Sequence, residues 1–201
     1  MIPLVKTCGL SRPEDIVIAN QLRPDAVGFV FWPKSRRFVA DATAARLRKH
    51  LEPSILTVGV FVDEDPAEVA GLLRQGTIQV AQLHGHEDEA YIAALRQMTS
   101  APIWKAFKLR TPEDAAAAEA SSADLVLLDN GYGTGETFDW SLVRDVHRPY
   151  LLAGGLTPEN VTDALDALKP FGLDVSSGIE TDGYKDYDKM RRFLELARVP
   201  R

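Results

Sequence analysis

Short apolar runs alternate with longer amphipathic stretches along nearly the whole chain. The runs occupy residues 4–8, 26–31, 55–62, 78–83, 103–107, 125–129, 150–153 and 173–176. They are brief, rich in β-branched residues and apolar almost throughout rather than at every second position. That is the pattern of parallel strands covered on both faces. The stretches between them carry helix-start signals. Ser11-Arg12-Pro13-Glu14 reads as a capping box, with Ser11 accepting from first-turn N–H groups and Glu14 reaching back. Asp65-Pro66-Ala67-Glu68 follows the same logic. Thr111-Pro112-Glu113-Asp114 and Thr157-Pro158-Glu159-Asn160 each set a capping hydroxyl before a proline at the first helical position. Residues 115–120 are alanine-rich, and 185–198 space Tyr187, Met190, Phe193, Leu194 and Ala197 along one helical face.

Eight strands, each followed by a helix, are predicted. Parallel neighbours need such crossovers, and eight βα units in one chain close most simply into a (β/α)8 barrel of the α/β class, a TIM barrel. An open doubly wound sheet is the alternative. It usually has fewer strands and a glycine-rich turn after the first, a fingerprint that Cys8-Gly9-Leu10 lacks. No linker, low-complexity segment or break in composition divides the chain, so residues 1–201 are expected to form a single catalytic domain.

Composition narrows the partners. With 45% hydrophobic and 26% charged residues the chain reads as an ordinary globular protein. A net charge of -6 argues against nucleic acid or an anionic membrane as the partner. It leaves room for an anionic small molecule, which a few backbone N–H groups and an arginine can hold. The single cysteine allows no internal disulfide, the first residues lack a signal pattern, and no apolar run approaches a membrane span. A cytoplasmic protein, monomer or homodimer, is expected.

Barrel enzymes often bind phosphate on the loops after strands seven and eight. Here these are Ala153-Gly154-Gly155-Leu156 and Ser176-Ser177-Gly178-Ile179. Glycine lets the backbone approach a ligand and expose its N–H groups. Either loop alone is an ordinary turn; both in these positions point to phosphate. Residues 131–135 add a third glycine-rich loop, readable as a cover or as a plain surface loop. Cys8 ends the first strand and Asp129 the sixth, both at the mouth where barrel active sites lie. A lone cysteine is more often packing, and a lone aspartate more often a cap. Together at one mouth they make a base and acid pair. Polar residues also punctuate the strands: Lys6, Gln82, Lys105 and Asp174. Lys105 and Gln82 alone read as structural. His84 and His86 stand two apart, but no third ligand accompanies them, so no metal is expected. Arg36 and Arg37 follow the second strand, as a solvated basic loop or as a carboxylate fork.

Taken in order, Lys6-Thr7-Cys8-Gly9-Leu10, Gly28-Phe29-Val30-Phe31 with Ser35-Arg36-Arg37, Val58-Gly59-Val60-Phe61-Val62, Gln82-Leu83-His84-Gly85, Leu128-Asp129-Asn130 with Gly133-Thr134-Gly135, Ala153-Gly154-Gly155-Leu156 and Asp174-Val175-Ser176-Ser177-Gly178 resemble the phosphoribosylanthranilate isomerase family of tryptophan biosynthesis. The resemblance implies a (β/α)8 barrel and an Amadori rearrangement of N-(5-phosphoribosyl)anthranilate to its 1-deoxyribulose 5-phosphate isomer, without cofactor or metal. It implies Cys8 as general base, Asp129 as general acid and Arg37 on the anthranilate carboxylate. Phosphate would sit on Gly133, Gly155, Ser177 and Gly178. Asp174 is implied as a supporting polar residue and His84 as a residue of the mouth without a set role. As acid, Asp129 must hold a proton that a free aspartate, with a pKa of about 3.9, loses at neutral pH. Thr7, Arg36 and Tyr132 depart from residues common in the family. Other phosphosugar barrels are rivals: the histidine-pathway isomerase, which needs a second phosphate site, indole-glycerol-phosphate synthase, and a metal-using epimerase. A non-catalytic phosphoribosyl-binding module would need neither Cys8 nor Asp129.

Overall fold

The computed structural model describes residues 2–129 and 141–200. Eight parallel strands run β1 (Leu4–Cys8), β2 (Ala26–Val30), β3 (Leu56–Phe61), β4 (Val80–Leu83), β5 (Ile103–Lys108), β6 (Leu125–Asp129), β7 (Tyr150–Ala153) and β8 (Gly172–Val175). Each pairs with the next, and β8 returns to β1 to close a barrel. The expected barrel is therefore present. The closing register sets Leu4 against Gly172, Lys6 against Asp174 and Thr7 against Val175.

The near-continuous apolar runs are explained by two cores, one on each side of the strands. Inside the barrel, Ala26, Val58, Val80, Trp104, Ala106, Leu125, Leu127 and Leu151 pack together. Between barrel and helices lies a larger shell including Val5, Phe29, Phe61, Leu83, Val126 and Phe193. The alternation of strand side chains sends Lys105 to this outer side, since its neighbours Trp104 and Ala106 point in. There its Nζ donates to Glu87 Oε2 at 2.9 Å and to the Gly85 carbonyl at 2.8 Å.

The helices are α1 (Pro13–Leu22), α2 (Asp41–His50), α3 (Pro66–Arg74), α4 (Glu89–Arg96), α5 (Pro112–Ala120), α6 (Val161–Leu168) and α7 (Tyr187–Ala197). Asp65 caps α3 by accepting from Ala67 N at 2.7 Å. Thr111 and Asp114 form the capping box of α5, proline at its first position.

Four expectations change. At α1 the capping residue is Arg12 rather than Ser11, and the acid that reaches back is Asp15 rather than Glu14. Asp15 Oδ2 accepts from both Ser11 N and Arg12 N, at 2.9 and 3.0 Å, and Asp15 is buried where Glu14 is exposed. At Thr157 no helix starts. Asn160 Oδ1 accepts from Thr157 N at 2.9 Å, folding residues 157–160 into a turn before α6. After β6, the described residues hold only a 3-10 turn, Leu142–Asp145, whose Val143 is buried over the barrel wall with Val146 just after it. A short antiparallel hairpin, β9 (Glu180–Thr181) and β10 (Tyr184–Lys185), also intervenes between β8 and α7. It shifts the helix start to Tyr187, capped by Asp186.

Replacing Lys105 by Met leaves the buried Glu87 carboxylate without its cation. Loss of one partner of a buried pair costs about 3–5 kcal/mol, so urea unfolding of the variant should show a loss of that size. A loss below about 1 kcal/mol would mean that the pair contributes no more than a surface contact.

Candidate active site

A cavity of about 410 Å³ opens at the C-terminal ends of the strands and is lined by Cys8, Arg37, His84, Asp129, Gly155, Asp174 and Ser177. Seven of the nine residues singled out in the sequence thus meet at one mouth. Gly178 lies behind it, and Gly133 lies outside the described residues.

On one wall, Cys8 and Lys6 stand two apart on β1 and share its inward face. Lys6 is fully buried, and its Nζ is held by both carboxylate oxygens of Asp174, at 2.9 and 3.0 Å. Gly28 on β2 makes room for both. A Cβ there would lie 2.6 Å from Cys8 Sγ and 3.1 Å from Lys6 Nζ. Burial alone would pull the Lys6 ammonium down. Asp174 and then Cys8 outweigh it and hold the group above the ordinary lysine value. Burial pushes the Cys8 thiol up, with Lys6 the largest opposing influence.

Across the cavity, Asp129 ends β6. His84, after β4, places Nε2 at 3.2 Å from Asp129 Oδ2, and the Gln82 amide nitrogen lies 3.2 Å from His84 Nδ1. With the amide donating, the ring proton sits on Nε2 and is given to the carboxylate. Gln82 is fully buried on the inward face of β4, so its structural reading holds in a particular sense: it orients a histidine of the mouth.

Arg37 is held from behind. Its Nε and Nη2 donate to Glu180 Oε1 and Oε2 at 2.7 and 2.8 Å, a planar fork on a carboxylate. Arg36 Nη2 and Lys185 Nζ reach the same carboxylate at 2.7 and 2.8 Å. Lys185 also donates to the Ser176 carbonyl at 3.0 Å, and Ser176 Oγ donates to the Cys8 carbonyl at 2.9 Å. Burial would raise the Glu180 pKa, but Arg37 and Lys185 together keep it below the ordinary glutamate value.

The two described glycine loops touch. Gly154 and Gly155 adopt positive φ, +86° and +65°, which favour glycine. The Asn160 amide donates to the Gly155 carbonyl at 2.9 Å, fixing the loop to the turn before α6. Gly178 is pressed on the backbone of Leu156 and Thr157 so closely that no Cβ fits. Its glycine therefore serves the packing of one loop on the other.

Among the described residues no group of three His, Cys, Asp or Glu side chains is placed to hold a metal ion. His86 turns away to Asp63, its Nδ1 2.9 Å from Oδ2. Nor is any described helix long and apolar enough to cross a membrane.

The family model for N-(5'-phosphoribosyl)anthranilate (PRA) isomerase matches residues 5–196. The chain belongs to this family. Among its relatives in the family, the N-(5'-phosphoribosyl)anthranilate isomerase of Caldanaerobacter subterraneus subsp. tengcongensis is 42% identical over 96% of this chain and 97% of its own. The phosphoribosyl anthranilate isomerase of Thermotoga maritima superposes with a TM-score of 0.87 at 37% identity, covering 98% of each chain. Another, solved in complex with reduced 1-(o-carboxyphenylamino)-1-deoxyribulose 5-phosphate, gives 0.85 at 36% identity, again over 98% of each chain.

In this member of the phosphoribosylanthranilate isomerase family, sequence reasoning left Glu180, Lys185, Lys6 and Gln82 without a role in the site. Lys6 carried a signal, its two-residue spacing from Cys8. Lys185 carried none, because only the hairpin turns it back to the mouth.

A carboxylate whose pKa is lowered by folding stabilises the folded state above its unfolded value. That contribution is lost as pH falls through the folded value. For Glu180 the window begins near the ordinary glutamate value of 4.5 and extends below it. Urea midpoints of Glu180→Gln should therefore lie below those of the parent at pH 7, with the gap narrowing as pH falls from about 5 to about 3. A gap of constant size would show that Glu180 does not titrate with folding.

Proposed function

We propose that this chain isomerises N-(5'-phosphoribosyl)anthranilate in tryptophan biosynthesis, with Cys8 as base and Asp129 as acid. The observation that carries the assignment of roles is the single cavity with a thiol on one wall and a carboxyl on the other. Beside them lie an arginine and two glycine-containing loops, which answer to the carboxylate and phosphate at the two ends of the substrate.

Phosphate sits on the backbone of Gly155 and Ser177, with Gly178 keeping their loops together; Gly133 belongs to the same set by sequence. The anthranilate carboxylate meets Arg37, whose guanidinium is already oriented by Glu180. Trp32, Val30 and Val60, which also line the cavity, offer apolar surface to the aromatic ring. His84 acts through Asp129, and Asp174 through Lys6.

With the substrate so held, Asp129 gives its proton to the furanose ring oxygen. The anilino nitrogen lone pair moves in to form C1=N as the C1–O bond breaks. The Cys8 thiolate then takes the proton from C2, and the C–H electron pair forms a C1=C2 bond while the C=N pair returns to nitrogen. The enolamine gains a proton at C1 and loses one from the C2 hydroxyl, leaving the ketone. The atoms of substrate and product are the same, and the enzyme moves only protons.

Freshly made N-(5'-phosphoribosyl)anthranilate should lose its anthranilate-type fluorescence faster with this protein than without it, in the presence of a chelator. Asp129→Asn should bind the substrate almost normally but lose about a hundredfold or more in turnover, the scale of a general acid. Cys8→Ala should lose as much. Near-normal turnover in Asp129→Asn would refute the acid assignment, and no decay above background with folded parent protein would refute the isomerase.

A further inference from the structure

The proton transfer just described needs a thiolate, yet the site buries Cys8. An unperturbed thiol, with a pKa of about 8.5, is mostly protonated at neutral pH, and burial disfavours the charged form further. A built-in source of positive charge would resolve the conflict. Among the described residues, the charged groups around Cys8 can be named. Lys6 lies beside it on β1, and Asp174 on β8 holds Lys6. Lys185 reaches the Ser176 carbonyl behind it, and Arg37 lies over Gly9 from the loop after β2. Asp129, His84 and Lys108 stand across the cavity. Lys185 and Arg37 are both committed to Glu180, while Lys6 shares with Cys8 the gap that Gly28 leaves open.

From this placement we infer that Lys6 is a positioning residue for the reaction: its buried ammonium, locked by Asp174, faces the Cys8 sulfur and stabilises the thiolate that abstracts the substrate proton. The inference rests on the proposed isomerase chemistry for its purpose, but not for its measurement.

The geometry explains why a lysine occupies the interior of a barrel at all. A buried ammonium is costly unless paired. Both Asp174 oxygens bond to Nζ, yet the ammonium has a third proton, and the sulfur is the next group in its surroundings that can take negative charge. Asp174 opposes the effect on Cys8, being negative as well. Lys6 Nζ shares the gap at Gly28 with the sulfur, and its influence there outweighs that of Asp174. The ion pair as a whole therefore favours the thiolate.

Cys8 is the only cysteine in the chain, so alkylation by iodoacetamide reports on it alone. The rate would be followed against pH for the parent, for Lys6→Gln, and for Lys6→Gln with Asp174→Asn. The double variant replaces the ion pair by a neutral hydrogen-bonded pair and leaves no buried carboxylate unpaired, so it remains testable if the single variant fails to fold. The alkylation midpoint should rise by about one pH unit or more in each folded variant, which is about tenfold slower alkylation at pH 7. The rising limb of kcat/KM should move up in pH by the same amount, a change that mere loosening of the barrel would not produce. An unchanged midpoint in the folded double variant, with the parent fully active, would overturn the role of Lys6 and leave the isomerase reading intact. If the parent proves inactive, that reading falls, and the alkylation midpoint still decides whether Lys6 holds the thiolate.

Discussion

The ion pair between Lys6 and Asp174 joins the first strand of the barrel to the last. The two residues are register partners across the seam, and both side chains turn into the interior, where the other strands contribute mainly apolar side chains. Such a pair tolerates little displacement. If β8 slipped by one residue against β1, the alternation of strand side chains would carry Asp174 to the outer core and leave Lys6 buried without a counter-ion. The seam thus has one electrostatically acceptable register, which fixes the heights at which Cys8 and the loop after β8 emerge at the mouth.

Two polar systems face each other across the mouth above the seam, and a third stands behind them. Lys6 and Asp174 stand beneath the thiol, whereas the carboxyl of Asp129 meets His84, which Gln82 orients, with its register partner Lys108 at the same mouth. A base is helped by an adjacent positive charge. The third system, Glu180 with Arg36, Arg37 and Lys185, supports rather than faces the cavity centre. It converts a flexible arginine into an oriented fork before any ligand arrives, which lowers the entropy lost on binding.

The barrel was legible in the sequence because its strands are buried on both sides and therefore read as eight separate apolar runs. Helix starts were legible where the cap is short and local, as at Asp65 and Thr111. They misled at Ser11 because Glu14 and Asp15 compete for the same N–H groups and the buried Asp15 holds them, and at Thr157 because the Asn160 amide oxygen takes the Thr157 N–H into a turn. The helix expected after the sixth strand is reduced, among the described residues, to a single turn that buries Val143, with Val146 buried just after it. Cys8 and Asp129 could be placed at the mouth from strand ends alone, and Arg37 and His84 with the family resemblance. What held them could not. Glu180 reaches Arg37 across 143 positions, and Asp174 reaches Lys6 across 168. Single-sequence periodicity carries no information over such distances.

That separation of 168 positions has a bearing on how the protein is made. Chains leave the ribosome N-terminal end first. β1 is the first strand of the barrel to be made, with a lysine that cannot be buried cheaply, and the residue that neutralises it is among the last of the barrel to emerge. A partial chain that closed early would have to bury an unpaired ammonium, so incomplete barrels are discouraged by electrostatics as well as by missing core. The charge that assists the thiol therefore also acts as a timer, withholding a closed interior until the eighth strand is available.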